Sequence, residues 1–268
     1  MNVGVNGSIL GKAQLAKSID INAILESLVQ NSSYSHKIAT DKATQITNTT
    51  KITAFSNLKT DVIAVKTSLN ALADAVTTQE RKDKLNAFVN AYNKVVGDIK
   101  TGDAYNVETR LAGPLMGSRE VRILHDALSR AKNTSIDANS LTNMGVSVGA
   151  NGLLTVDSNK VDDALTNHLS SFTTLLGEAR VGNAAGTGLV GAFNTVVNSA
   201  TNVASGFLTS HIEGLDRQNV LLGTDISNQQ RHLDQYTKQQ LTKLVYMENS
   251  VSKSNFDQQL LEHMFSKI

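Results

Sequence analysis

The sequence lacks cysteine and tryptophan, and it has a single proline, Pro114, among its 268 residues. Without cysteine the chain cannot form disulfides, thiolate metal sites or a cysteine nucleophile. Proline breaks the interior of a helix, so a chain almost free of it is able to form unusually long helices. Aromatic residues make up only 4% of the chain, which favours thin helical layers over a thick globular core.

Charge and hydropathy argue against two kinds of partner. The 25 Lys and Arg residues almost balance the 24 Asp and Glu residues, whereas nucleic-acid binding needs a basic surface. The longest uncharged stretch, residues 181–210, is interrupted by Gly, Asn, Thr and Ser, whereas a membrane span needs about 20 predominantly apolar residues. Residues 1–11 do not resemble a secretory signal peptide. We therefore expect no nucleic-acid partner, no membrane insertion and no cleaved signal.

Three runs of apolar residues spaced three and four apart indicate long helices. The first helix is expected to run to about Val76, and the second to follow a polar link at residues 79–84. So short a link predicts an antiparallel pair. The third run extends from Ile212 to Tyr236, and its stripe slips by one residue from Leu241. The buried seam of the first pair is predicted to consist of Phe55, Leu58, Val62, Val65, Leu69, Leu72, Phe88 and Tyr92.

The middle of the chain predicts shorter elements. Ser118 with Glu120 is a typical helix start. The Ser118 hydroxyl can accept a hydrogen bond from a backbone amide that has no partner within the helix, and the Glu120 carboxylate lies at the positive end of the helix dipole. Alternating residues on either side of an Asn-Gly pair predict a β-hairpin of residues 146–148 and 154–156. Asp157 or Ser158 would then cap a helix with a buried face, and a further helix is expected near Leu189. That buried face comprises Val161, Leu165, Leu169 and Phe172.

Both ends of the chain carry short apolar stripes next to largely polar stretches, residues 30–36 and 248–255. These stripes have too few apolar residues to bury themselves stably in a monomer. We therefore expect them to pack on neighbouring subunits. The predicted interface residues are Ile21, Leu25, Leu28, Met247, Val251, Phe256, Leu260, Leu261, Met264 and Phe265.

The sequence thus predicts a mainly α fold. If helical, the segments from Ile21 to Val76 and from Leu208 to Phe265 have similar lengths, which suits long antiparallel N- and C-terminal helices that form a coiled-coil-like stalk. Residues 1–40 and 245–268 are predicted to form this terminal stalk domain. Residues 41–244 are predicted to form a helical-bundle body with one small β-hairpin near 146–156.

No pattern of residues predicts a catalytic or metal site. The six histidines do not pair at the spacing of metal ligands, and no carboxylate cluster accompanies them. The glycines at 182, 186 and 188 lack the Gly-Lys-Ser or Gly-Lys-Thr of a phosphate-binding loop, so we interpret them as a hinge. We expect no cofactor and no enzymatic activity.

Several segments together resemble one protein family. The segments are Ile-Asp-Ile-Asn-Ala-Ile-Leu-Glu-Ser-Leu-Val at 19–29, Phe-Val-Asn-Ala-Tyr-Asn at 88–93, Leu-Met-Gly-Ser-Arg-Glu-Val-Arg at 115–122, Met-Gly-Val at 144–146, Gly-Leu-Leu-Thr-Val-Asp at 152–157 and Tyr-Met-Glu at 246–248. In this order they are similar to the flagellar filament-capping proteins, also called hook-associated protein 2. The chain departs from the family in lacking the aspartate of its Leu-Gly-Asp-Ser loop. It also has only residues 73–84 where relatives carry β-rich head domains, so it resembles a minimal member.

The resemblance implies a structural cap at the distal end of the bacterial flagellar filament, in an extracellular location reached without a cleaved signal peptide. It implies a small homo-oligomeric ring, usually described as a pentamer, which promotes the insertion of flagellin and prevents its loss. Further partners would be the hook-filament junction proteins and an export chaperone on the C-terminal helix.

Other functions stay open on the sequence. A flagellin or a hook-filament junction protein shares the architecture with both chain ends together, although the chain has no flagellin-like Arg-Leu-Ser-Ser-Gly run. A metal- or ligand-dependent enzyme would need converging residues that the spacing does not indicate. A helical adaptor unrelated to flagella is the remaining alternative.

Overall fold

The computed structural model describes residues 20–177 and 186–266. Within them the protein is mainly α-helical with two small antiparallel hairpins, which confirms the predicted fold class. The helices are α1 (Ile21–Gln30), α2 (Ser33–Ala73), α3 (Thr78–Gly102), α4 (Arg119–Lys132), α5 (Ser158–Asn167), α6 (Leu169–Leu176), α7 (Gly188–Thr201) and α8 (Phe207–Phe265). The strands are β1 (Tyr105–Asn106), β2 (Leu111–Ala112), β3 (Val146–Val148) and β4 (Leu154–Val156). Residues 1–11 and Gly182, on which two predictions rest, lie outside the described residues.

The described chain divides into two compact units, residues 20–44 with 221–266, and residues 45–220. Helices α2 and α8 each contribute to both units. Across residues 20–177 and 186–266, no helix combines the length and the apolar character needed to cross a membrane. The assignment of a terminal stalk domain and a body domain stays a prediction.

The unit of residues 45–220 contains a continuous hydrophobic core between α2, α3, α4, α5, α6 and α7. All eight side chains of the predicted seam from Phe55 to Tyr92 are buried in it. The rings of Phe88 and Phe193 meet edge to face at 5.3 Å, which joins α3 to α7. Lys94 of α3 pairs with Asp61 of α2 at 2.7 Å, and Gly102 of α3 lines the same cavity as Ala54 of α2. Residue numbers therefore rise along α3 as they fall along the adjacent α2, so the two helices run antiparallel.

The unit of residues 20–44 with 221–266 has fewer buried side chains. Its buried apolar residues are Ile38, Leu233 and Leu244. The ring of Tyr34 on α2 stacks on His232 of α8 with centroids 5.8 Å apart. Long helices with so few buried side chains depend strongly on each contact, because tertiary packing supplies most of the stability of a helix.

The N-terminal helical segment is interrupted, so the expectation of one continuous helix from Ile21 to Val76 is wrong. Helix α1 ends at Gln30 and α2 begins at Ser33. The Asn31 side chain donates to the Ser27 carbonyl at 2.9 Å, and the Ser32 hydroxyl accepts from the Ser35 amide at 3.1 Å. These side chains satisfy the free backbone groups at two adjacent helix ends, which stabilises the break.

The link between the first two long helices also differs from the prediction. Helix α2 ends at Ala73, and Val76 is 76% exposed in the short link that follows. Residues 79–84 belong to the first turns of α3 and are not a turn. The reason is a capping box, in which the Thr77 hydroxyl accepts from the Glu80 amide and the Glu80 carboxylate accepts from the Thr77 amide. With four residues between α2 and α3, no domain is inserted there.

Several predictions for the middle of the chain are confirmed. Ser118 caps α4, Asp157 caps α5, and β3 pairs with β4 antiparallel. The single helix expected to carry Leu169 and Phe172 is wrong, because non-helical backbone angles at His168 divide it into α5 and α6. Phe172 remains buried, whereas the break leaves Leu169 exposed. The hairpin of β1 and β2 was not predicted, since strands of two residues give no alternation signal.

Candidate assembly surfaces

The C-terminal part of α8 carries an unpartnered apolar face. Phe256, Leu260 and Met264 follow one another at intervals of four residues, and Leu261 and Phe265 form the adjacent row. Residues four apart lie on the same side of a helix, so the five side chains share one face. Phe256 is 64% exposed and Phe265 is 72% exposed. A soluble helix normally buries such a stripe, so this face is the candidate site for contact with another molecule.

The other predicted interface residues differ in their exposure. Met247 and Val251 on α8 are exposed like the terminal group, whereas Ile21, Leu25 and Leu28 on α1 are half-buried. Helix α1 begins at the cap Asp20, whose carboxylate accepts from the Ala23 amide at 3.0 Å. All ten predicted residues lie in the unit of residues 20–44 with 221–266. Their role as an interface stays a prediction.

A pairing between Asn93 and β4 holds the β3–β4 hairpin on α3. The Asn93 side chain accepts from the Leu154 amide at 2.7 Å and donates to the Leu154 carbonyl at 2.8 Å. The hairpin's own bonds include Gly149 to Leu153 and Asp157 to Gly145, so Val148 and Leu154 form a non-hydrogen-bonded pair. The main-chain groups of Leu154 therefore point away from β3, and Asn93 satisfies both. The sequence motif at 88–93 contains this residue, but nothing in its spacing indicated the partner.

Three charged residues connect α2 and α3. Lys94 lies 2.7 Å from Asp61 and 2.9 Å from Asp98. Burial and the hydrogen bond with Asp98 raise the pKa of Asp61. Burial acts to raise the pKa of Asp98 as well, but hydrogen bonds with Asp61 and Lys94 prevail and lower the pKa of that carboxyl. Because Lys94 contacts both carboxylates, the cluster acts as an ion pair that fixes two helices.

The β1–β2 hairpin presents a second exposed apolar surface, in the unit of residues 45–220. Val107 is 78% exposed and Leu111 is 67% exposed, and Tyr105 and Met116 are exposed beside them. Sequence reasoning missed this surface, because the apolar residues are isolated between polar ones.

Within residues 20–177 and 186–266, no three His, Asp or Glu side chains come together in a way that would hold a metal ion. What the fold presents instead is long helices with exposed apolar surfaces. These features define a mainly helical protein with exposed apolar surfaces.

A family model described as "Flagellar hook-associated protein 2 C-terminus" matches residues 75–256. The chain belongs to the flagellar hook-associated protein 2 family. The match includes the Asn93 motif, both hairpins and most of α8, and it includes Met247, Val251 and Phe256 of the predicted interface.

Two relatives carry the name "Flagellar hook-associated protein 2", both from Helicobacter pylori. The protein of strain ATCC 700392 / 26695 is 25% identical over 182 residues, and that of strain J99 / ATCC 700824 is 23% identical over the same length. The aligned region is 65% of this chain and 27% of each relative. The chain therefore spans about a quarter of the length of the curated relatives that it matches.

Proposed function

We propose that the protein is a structural component of the cap at the distal end of the bacterial flagellar filament. In this role several copies form a small ring. Flagellin subunits insert beneath the ring, and the ring prevents their loss. The partners are further copies of the chain, flagellin at the filament end and the hook-filament junction proteins, and a chaperone holds the C-terminal helix before export. The protein is extracellular, and it acts through binding without catalysis.

Family membership supports the flagellar role, and the exposed apolar face from Phe256 to Phe265 is the observation that carries the proposed mechanism. Full burial of a large apolar side chain contributes about 1.5–3 kcal/mol. Burial of the five side chains of this face thus offsets much of the cost of association. Helix α1 adds the half-buried Ile21, Leu25 and Leu28 to the same contact.

The weakly buried unit of residues 20–44 with 221–266 suits a chain that gains order on assembly. Beyond Leu244, no side chain of the described part of α8 is buried. A segment that completes its packing only on a partner couples folding to binding. Part of the binding free energy is used to order the segment, so the affinity per unit of buried area is lower and the contact stays reversible. Reversibility is what a cap needs if it is to move outward as each flagellin subunit is added.

Electron microscopy of the purified full chain mixed with flagellar filaments tests the proposal. We expect discrete rings and density at one end of each filament. The double variant Leu260→Ser with Met264→Ser removes two apolar side chains of the exposed face and should abolish end binding. The matched control, Asn249→Ser with Gln259→Ser, changes two exposed polar positions of the same helix and should bind like the parent. Monomers that are indifferent to filament ends would contradict the proposal.

A deletion strain separates a cap from a flagellin or a junction protein. Loss of a cap leaves export intact, so flagellin should accumulate in the medium while motility is lost. Loss of a flagellin would instead reduce filament mass without that accumulation. Restoration of filaments by the parent chain, but not by the variant of Leu260 and Met264, would connect the phenotype to the exposed face of α8.

A further inference from the structure

The β1–β2 hairpin projects from the unit of residues 45–220 without being covered on either face. Tyr105 lies opposite Ala112, and Asn106 lies opposite Leu111. Residues opposite each other share a face of a hairpin, so Tyr105 and Leu111 point to different faces. Both are exposed, and Val107 at the turn is more exposed than either. The hairpin's apolar side chains therefore have no partner within the described part of the chain.

The hairpin is held in one conformation. The Asn106 side chain accepts from the amides of Glu108 and Thr109, both at 2.9 Å, which closes the turn. At its base the Gly113 amide donates to the Ala104 carbonyl at 2.8 Å. Gly113 also approaches Gly102 so closely that a Cβ atom would collide with its carbonyl. A fixed loop loses little conformational freedom on binding, so its exposed side chains are preorganised for a partner.

The same unit contains a groove that fits such a loop. It has a volume of about 530 Å³ between α4 and α7. Its apolar lining includes Ile123, Ala127, Ala131, Ala192, Val196 and Phe207. Arg130 also lines the groove and is exposed, and it makes no ion pair within residues 20–177 and 186–266. Glu108 beside Val107 on the hairpin likewise makes no ion pair among the described residues, so the two surfaces carry opposite charges at Glu108 and Arg130.

The positions of the two surfaces favour a contact between different copies. The hairpin leads into Ser118, the cap at the start of α4, whereas the groove extends from Ile123 to Thr134 towards the other end of that helix. Helix α4 is about 21 Å long at 1.5 Å per residue. The exposure of Val107 shows that the hairpin does not occupy its own groove. A contact between two different patches is head-to-tail, the type of interface that closes into rings.

We propose that Val107 of one copy docks in the α4–α7 groove of a second copy, where Glu108 pairs with Arg130. This inference rests on the proposed assembly of several copies and adds a specific contact to it. One hairpin buries less than the roughly 1,000 Å² that a stable interface requires. The contact therefore acts together with the terminal helices, which raise the effective concentration of hairpin and groove.

The absence of cysteine allows a direct test in the full chain. Val107→Cys and Ala127→Cys are prepared separately, one with an affinity tag, then mixed under assembly conditions and oxidised. A disulfide requires Cα atoms within about 7 Å, so it forms only if the loop enters the groove. The matched control replaces Ala127→Cys with Ser129→Cys, which lies on another face of α4. We expect roughly tenfold more mixed dimer with Ala127→Cys than with the control, as the higher effective concentration implies.

Charge exchange provides the second measurement in the same cysteine variants. Glu108→Arg in the hairpin chain or Arg130→Glu in the groove chain should each lower the disulfide yield, and both together should restore it. Equal yields with the control position, or no rescue by the double exchange, would overturn the inference. If the chain binds filament ends but the selective disulfide does not form, this contact alone is refuted. If the unmodified chain does not bind filament ends, the proposed function is refuted.

Discussion

The pairing of Asn93 with Leu154 gives a sharp test of how the β3–β4 hairpin is attached. In Asn93→Ala the two hydrogen bonds of 2.7 and 2.8 Å disappear, and the amide and carbonyl of the buried Leu154 lose their partners. Each buried main-chain group without a partner costs about 1–3 kcal/mol. Alanine recovers up to roughly 0.7 kcal/mol through its higher helix propensity. We therefore expect the free energy of unfolding to fall by about 1–5 kcal/mol.

The assay is urea unfolding followed by circular dichroism at 222 nm, with hydrogen exchange of the Leu154 amide as a local readout. Asn90→Ala is the matched control, because Asn90 is an exposed asparagine on the same helix. That variant should be neutral or slightly more stable than the parent. If the two variants unfold at the same urea concentration and the Leu154 amide stays protected, the attachment of the hairpin through Asn93 is refuted.

Three further predictions concern charge, burial and helix capping in the unit of residues 45–220. Lys94→Met removes the cation that contacts two aspartates and should destabilise the fold by about 1 kcal/mol at pH 7. The loss should be smaller near pH 3, because the raised pKa of Asp61 leaves that carboxyl protonated there; an equal loss in urea unfolding at both pH values would contradict the ion-pair role. Burial raises the pKa of Tyr92 to about 12. The folded state thus keeps a proton that the unfolded chain releases near pH 10, so stability should fall between about pH 10 and 12, and a spectrophotometric phenol titration without a late step would refute this. Thr77→Ala should lower the free energy of unfolding by about 1 kcal/mol through loss of the α3 cap, whereas the neighbouring Thr78→Ala should not, and similar thermal midpoints for both variants would argue against the cap.

Local patterns explain which elements could be predicted. The seam from Phe55 to Leu72 is readable because residues three and four apart meet on one helix face whatever surrounds them. The caps Ser118 and Asp157 are equally local, since each side chain bonds to amides two or three residues ahead. The capping box of Thr77 and Glu80 is of the same kind, yet it was missed, because the charged residues after it resembled a turn.

Features that depend on distant residues were not predictable in this way. Asn93 and Leu154 are separated by 61 positions in the sequence. Asp61 on α2 and Lys94 on α3 are separated by 33 positions. The β1–β2 hairpin has strands of only two residues, and its stability comes from bonds at its base to Ala104 and Gly102. Such pairings have no periodic signature, because they are chosen by the packing of whole elements.

The sequence by itself determined a mainly helical protein with long proline-free helices, no cysteine chemistry and motifs of the flagellar hook-associated protein 2 family. Those properties follow from residue type and short-range spacing, which act before any tertiary contact forms. Only the tertiary structure decided that Val107 stays exposed on the β1–β2 hairpin and that Asn93 meets Leu154. Burial depends on what other elements bring alongside a residue in space, and no local pattern contains that information.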